Sequence, residues 1–216
     1  DSIGIIQSGS DPYDPYYFVS LDVYCTGEIP GPDERSEQFR GHTMFESSRV
    51  TRKDRFLLGE TPVRIEYKQT RRFDELVGAA KRGEPRFRDA GTYPFHRLAT
   101  AEVVFARSGW LEGIRAELRD LPDSFWTSLR DTGQARAEHT YADLSAAAVR
   151  NDQLFFLVSA GRFLRSLAGL LFTVNRRFQP SYRLLADELC ALPTLPASFC
   201  ARIESFISQD GTWTLE

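Results

Sequence analysis

Two short runs concentrate the residues whose types and spacing could do chemistry. Val19-Ser20-Leu21-Asp22-Val23-Tyr24 and Val63-Arg64-Ile65-Glu66-Tyr67 each carry one acid among apolar neighbours. Strand alternation sends Ser20, Asp22 and Tyr24 to one face and Leu21, Val23 and Cys25 to the other; the same rule separates Arg64, Glu66 and Lys68 from Val63, Ile65 and Tyr67. Adjacent strands of this pattern bring two carboxylates onto one face. The plainer alternative is that both acids lie on the solvated side of an antiparallel sheet. Upstream, Gly4-Ile5-Ile6-Gln7 reads as a strand running into Ser8-Gly9-Ser10, a turn whose small residues let backbone N–H groups approach a phosphate. Together these are the layout of a phosphate cradle facing a metal site.

That layout resembles the nucleotidyltransferase superfamily, the polymerase-beta-like fold, and within it the kanamycin and lincosamide nucleotidyltransferase type. Its pattern is a strand, a Gly-Ser pair, a spacer, Asp-x-Asp on a second strand, and a third acid on a neighbouring strand. Gly9-Ser10 matches the Gly-Ser pair, Ser20-Leu21-Asp22 stands where Asp-x-Asp belongs, and Glu66 takes the place of the third acid. Ser20 thus occupies the first Asp position.

The resemblance implies that Asp22 and Glu66 bind Mg²⁺, which holds an NTP. Gly9 and Ser10 would supply phosphate donors, Lys68 would meet a phosphate or form a salt bridge, and Glu66 would act as base toward an acceptor hydroxyl. Asp11 and Asp14 either add to the metal site or serve as the turn dipeptides Asp11-Pro12 and Asp14-Pro15. The activity implied is Mg²⁺-dependent transfer of a nucleotide to a small hydroxylated acceptor. The alternatives are a nucleotide-binding or protein-interaction module on the same fold with a weakened metal site, and a structural protein with a helical dimerisation surface.

Composition sets outer bounds. Of the residues 42% are apolar and 26% charged, which is ordinary for a soluble globular protein. A net charge of -3 argues against general nucleic-acid binding. Cys25, Cys190 and Cys200 are too few for a disulfide framework and lack zinc-ligand spacing, so they are expected to be reduced thiols in a cytoplasmic protein. His42, His96 and His139 are dispersed, without a paired-ligand motif. No signal peptide is visible. The chain does not begin with Met, leaving open that an N-terminal piece was removed or belongs to a longer natural form.

The elements that must position the acids follow in order. A loop from Gly27 leads to a short exposed helix near Asp33. The runs 54–58 and 62–68 flank Gly59-Glu60-Thr61 as a hairpin, which places Asp54 near the site, though it also reads as a solvated turn acid. A short helix is expected over 70–80, and a last strand over 101–105. Arg97, just before that strand, reads as a surface arginine or a phosphate contact. From Trp110 the period turns helical. Helices are expected around 110–118, from Pro122 to Ala148, over 152–176, from a Ser181 cap through Leu192, and over 197–208. The third contains an apolar run of near membrane-spanning length, but Arg162 and Arg165 sit in its middle, so it reads as the central helix of a bundle.

The expected fold is therefore α+β, with a small mixed β-sheet nucleotidyltransferase-like domain over 1–107 and an antiparallel helical bundle over 108–216. The expected partners are a nucleotide and a small-molecule acceptor, with no membrane and with a homodimer formed through the helical half.

Overall fold

The structure is a computed structural model and describes residues 2–8, 17–47, 52–84 and 91–208. It is an α+β protein. In chain order the strands are β1 (Ser2–Ser8), β2 (Phe18–Cys25), β3 (Thr43–Ser47), β4 (Lys53–Leu58), β5 (Thr61–Gln69) and β6 (Glu102–Ala106). The helices are α1 (Pro32–Gln38), α2 (Thr70–Lys81), α3 (Tyr93–Thr100), α4 (Trp110–Arg119), α5 (Asp123–Val149), α6 (Gln153–Val174), α7 (Leu185–Cys190) and α8 (Phe199–Ile207). They divide into two compact units, one comprising Asp1–Ala80 with Arg97–Leu121 and the other Lys81–His96 with Pro122–Glu216.

The first unit holds one mixed six-stranded sheet in the order β3-β4-β5-β2-β1-β6. Strands β2 and β5 run parallel, and the other neighbours are antiparallel. Gly59 adopts φ +61 in the tight connection between β4 and β5, a backbone region where a side chain would be strained. One face of the sheet is apolar. Phe56, Val63 and Ile65 pack there with Val19, Leu21, Val23, Tyr67 and Phe39.

The opposite face carries Ser20, Asp22 and Tyr24, and it is buried: all three are 0% exposed. Its cover comes from helices. Tyr24 packs edge-on against Phe73 of α2 at 5.5 Å and, with tilted rings, against Trp110 of α4 at 5.2 Å. The Trp110 indole donates to Asp74 of α2 at 2.8 Å. Arg115 of α4 donates to the carbonyls of Leu98 and Ala101, satisfying acceptors that the end of α3 leaves without helical partners. Gly4 pairs across from Asp22, and a Cβ added there would lie 2.9 Å from the Ala101 Cβ. Glycine is what permits that close approach.

In the second unit α5 and α6 form an antiparallel pair. Leu144 and Ala147 meet Phe156 and Ala160 near the turn, while Gly133 lies beside Leu170 further along. Asn151 takes the left-handed conformation at φ +53 just after α5, and the Asp152 side chain caps α6 by accepting from the Phe155 N–H at 3.0 Å. Leu171 and Phe172 continue the core to Leu192 and Phe199, with Leu185, Leu189 and Ile203 against them. Among the described residues α6 is long and apolar enough to cross a membrane by length and composition. Its packing on α5, α7 and α8 makes it a bundle helix here.

Three expectations change. Helix α7 starts at Leu185, because Ser181 to Leu184 form a turn closed by the Leu184 N–H to Ser181 carbonyl bond. Residues 93–100, to which the sequence reading assigned no element, form α3, and β3 was likewise not foreseen. The expected reduced thiols also need correction. Cys190 and Cys200 form a disulfide, since the connection from α7 to α8 brings their Cα atoms to 6.0 Å, while Cys25 is a free thiol.

Truncating Phe172, which is 1% exposed, to alanine should remove about 3–5 kcal/mol of stability in urea unfolding. Leu157→Ala on the same helix, at 60% exposure, should change it by no more than about 0.5 kcal/mol.

Candidate functional site

Parallel pairing of β2 and β5 sets the register that builds the site. Ser20 lies across from Arg64, Asp22 from Glu66, and Tyr24 from Lys68. The two acids therefore share a face on neighbouring strands, as the alternation predicts. Strand β4 adds Lys53 across from Glu66.

This face is not the solvated side of an antiparallel sheet. Asp22 is fully buried, and both its oxygens are held by cations. Arg97 of α3 binds it as a fork, Nε to Oδ2 at 2.8 Å and Nη2 to Oδ1 at 2.5 Å. Lys68 Nζ sits 2.6 Å from Oδ2, and the Tyr24 hydroxyl donates to the same oxygen at 3.1 Å. Lys68 lies also 3.6 Å from Glu66 Oε2, so one ammonium joins the two carboxylates. Glu66 further meets Lys53 at 3.0 Å and Arg64 at 3.6 Å. The Ser20 hydroxyl accepts from Arg64 and Arg97, each at 3.4 Å.

Among the described residues four cationic side chains, Lys53, Arg64, Lys68 and Arg97, thus face two carboxylates. Their electrostatics follow. Burial alone would raise the Glu66 carboxyl, but Lys68, Arg97 and the hydrogen bond from Lys53 overcome it and bring its pKa down to about 2. Burial pushes Lys68 below the usual lysine range against the pull of Asp22. Burial and the neighbouring Asp22 charge raise Tyr24, which stays a neutral donor.

A divalent cation needs several hard oxygens that it can reach. Here the buried carboxylate of Asp22 already answers a guanidinium and an ammonium, and the residue beside it is Ser20. Among the described residues no three His, Cys, Asp or Glu side chains are grouped to hold a metal ion. The donor set among the described residues does not fit Mg²⁺. Gly9, Ser10, Asp11 and Asp14 lie outside the described residues.

Two arginines and one acid carry roles that the sequence left ambiguous. Arg97, read as a surface or phosphate-contacting residue, is 4% exposed and is the main partner of Asp22. Asp54, weighed as a site acid or a solvated turn acid, is neither: it lies on the other face of the sheet at 0% exposure. There it accepts from Arg35 of α1 at 2.9 and 3.2 Å, and the Arg35 guanidinium stacks 4.9 Å over the Tyr67 ring. Arg35 gave no sequence signal, because it sits in a charged segment that reads as exposed.

Replacing Arg97 by methionine leaves a buried carboxylate with Lys68 as its main cationic partner and should cost about 3 kcal/mol in denaturant unfolding. In the Asp22→Asn background the same change should cost much less. Because the Glu66 pKa is depressed, its contribution is present above the ordinary carboxylate range near 4.5 and is lost as pH falls toward about 2. That contribution is on the order of 3 kcal/mol. Glu66→Gln should correspondingly flatten the acid limb of the stability–pH curve.

A domain-of-unknown-function model, DUF4037, matches residues 92–184. No curated protein compared with the chain matches it in sequence. Among solved structures, a nucleotidyltransferase-like protein from Exiguobacterium sibiricum aligns at 12% identity and a TM-score of 0.48. That alignment covers 97% of this chain, which spans about 61% of the length of that protein.

Proposed function

We propose that the protein is a nucleotide-binding module with a weakened metal site, and that it binds the phosphates of a nucleotide at the cationic edge of the β2–β5 face. The observation that carries this reading is the capture of Asp22 by Arg97 and Lys68 at 2.5–2.8 Å. A carboxylate so held serves as an anchor for cations of the chain itself. Lys53 and Arg64, with side chains 36% and 22% exposed, stand at the accessible edge of this cluster. Guanidinium and ammonium groups there suit phosphate oxygens.

A second reading keeps the transfer chemistry that the sequence pattern implies, with Glu66 as base toward a hydroxylated acceptor. The register match of Asp22 and Glu66 favours it. The pKa of Glu66 disfavours it, since a carboxylate near 2 is a poor proton acceptor at neutral pH.

Titration calorimetry with ATP, GTP, CTP and UTP, each with and without Mg²⁺, separates the two. The binding reading expects one or more nucleotides to bind without Mg²⁺, more weakly at higher salt. It expects Arg64→Ala to weaken binding by about tenfold, as loss of one charge-assisted hydrogen bond would. Binding that requires Mg²⁺ and proceeds to pyrophosphate release would establish the transfer reading instead. Silence toward all four nucleotides removes both.

A further inference from the structure

The second unit contains a cavity that the site around Asp22 does not use. It lies between α5 and α6, has a volume of about 420 Å³, and is closed on one side by Gly91, Thr92 and Gln179. That volume is in the range of small-molecule sites. Arg136, Arg162 and Arg165 line it together with Thr140, Ser166 and Thr173, and no Asp or Glu is among its described lining residues. The spacing explains the convergence. On α6, Arg162, Arg165, Ser166, Gly169 and Thr173 recur at three- and four-residue steps along one stripe, and Gly133, Arg136 and Thr140 do so on α5. A helix that is otherwise apolar therefore turns a polar, basic stripe toward its neighbour.

We infer that this cavity is a binding site for a small phosphorylated polyol, such as a sugar phosphate. Arg136 and Arg162 are exposed and supply a guanidinium from each helix for the phosphate. Arg165 adds a third positive charge, its guanidinium 5.7 Å from the centre of the Tyr182 ring. The floor selects the rest of the ligand. Thr140 and Thr173 are buried, and Thr140, Ser166 and Thr173 donate their hydroxyl protons to the carbonyls of Arg136, Arg162 and Gly169, each at 2.9 Å. With those protons committed, the hydroxyl oxygens remain as acceptors. They call for several donors on the ligand, which the hydroxyls of a polyol supply alongside the phosphate.

The wall at Gln179 is held in place. Its backbone N–H donates to the Thr92 hydroxyl at 2.7 Å. Its amide oxygen lies 3.2 and 3.3 Å from where Cβ atoms on Gly91 and Gly169 would be. Larger residues at these two positions would press on it. All of these groups belong to the second unit, so the inference stands independently of the proposed nucleotide site.

The test is NMR and calorimetric titration of the full chain with ribose 5-phosphate, glucose 6-phosphate, glycerol 3-phosphate, inorganic phosphate and ribose at fixed ionic strength. At least one phosphorylated polyol should bind, at least about tenfold more tightly than phosphate or ribose alone. The exposed pair Arg136→Ala/Arg162→Ala should keep its circular dichroism and lose that binding by at least about tenfold, whereas Arg202→Ala, exposed in the same unit and outside the cavity, should retain it. No binding by any phosphorylated polyol overturns the proposal, as does binding undiminished in the double variant. Phosphate binding as tightly as the sugar phosphates overturns its polyol half. Capture of a short single-stranded RNA, lost in the double variant while the small molecules stay silent, overturns it in favour of a nucleic-acid surface.

Discussion

The ion pair between Asp22 and Arg97 is the interaction on which the first unit turns. Both side chains are removed from water, at 0% and 4% exposure, and desolvating them is costly unless the geometry is good and further hydrogen bonds are made. Here the fork of Arg97 takes both oxygens, Lys68 and the Tyr24 hydroxyl fill out Oδ2, and Ser20 accepts from Arg97. The pair also has architectural consequences. Arg97 arrives on α3, whose end is held by Arg115 of α4 and whose following residue, Ala101, fits only because Gly4 has no side chain. Sheet, α3 and α4 are thereby tied to one buried charge.

The other face of the sheet shows a contrasting use of the same chemistry. Asp54 and Arg35 form a second buried fork, beside Tyr67 and the apolar cluster around Phe56. In that pair both carboxylate oxygens of Asp54 accept from the one guanidinium. Around Asp22, among the described residues, four cationic side chains meet two carboxylates, and Lys53 and Arg64 stand toward the more accessible edge. A buried pair fixes an element in place. Cationic side chains at an accessible edge would, under the function proposed above, favour an anion from solution, which is why the polar face and not the apolar one carries that proposal.

In the second unit the organising constraint is apolar. Phe156, Leu171 and Phe172 seat α6 against α5, α7 and α8, and the disulfide between Cys190 and Cys200 ties the last two helices. Its arginines escape that core by lying on one stripe of α6, where α5 presents Arg136. The same residues that argued against a membrane span turn out to line a cavity.

Much of this was local in origin and therefore legible. The alternation in 19–24 and 63–67 placed Asp22 and Glu66 on one face, the Gly59-Glu60 turn marked the β4–β5 hairpin, and the 3.6-residue period marked α2, α4, α5 and α6. Alternation states which side chains share a face; it cannot state which face will be covered. That decision lay with groups far along the chain: Arg97, 75 residues from Asp22, and Tyr24's partners Phe73 and Trp110. The parallel pairing of β2 with β5, the short α3 and β3, the pairing of Arg35 with Asp54 and the meeting of Cys190 with Cys200 likewise depend on closure of the chain. Periodicity alone accounts for β1, β2, β4, β5 and β6, for the long helices and for the shared face of two acids. That the acids are buried against the chain's own cations came from long-range packing, because burial and charge pairing are properties of what packs on a face and not of the strand that forms it.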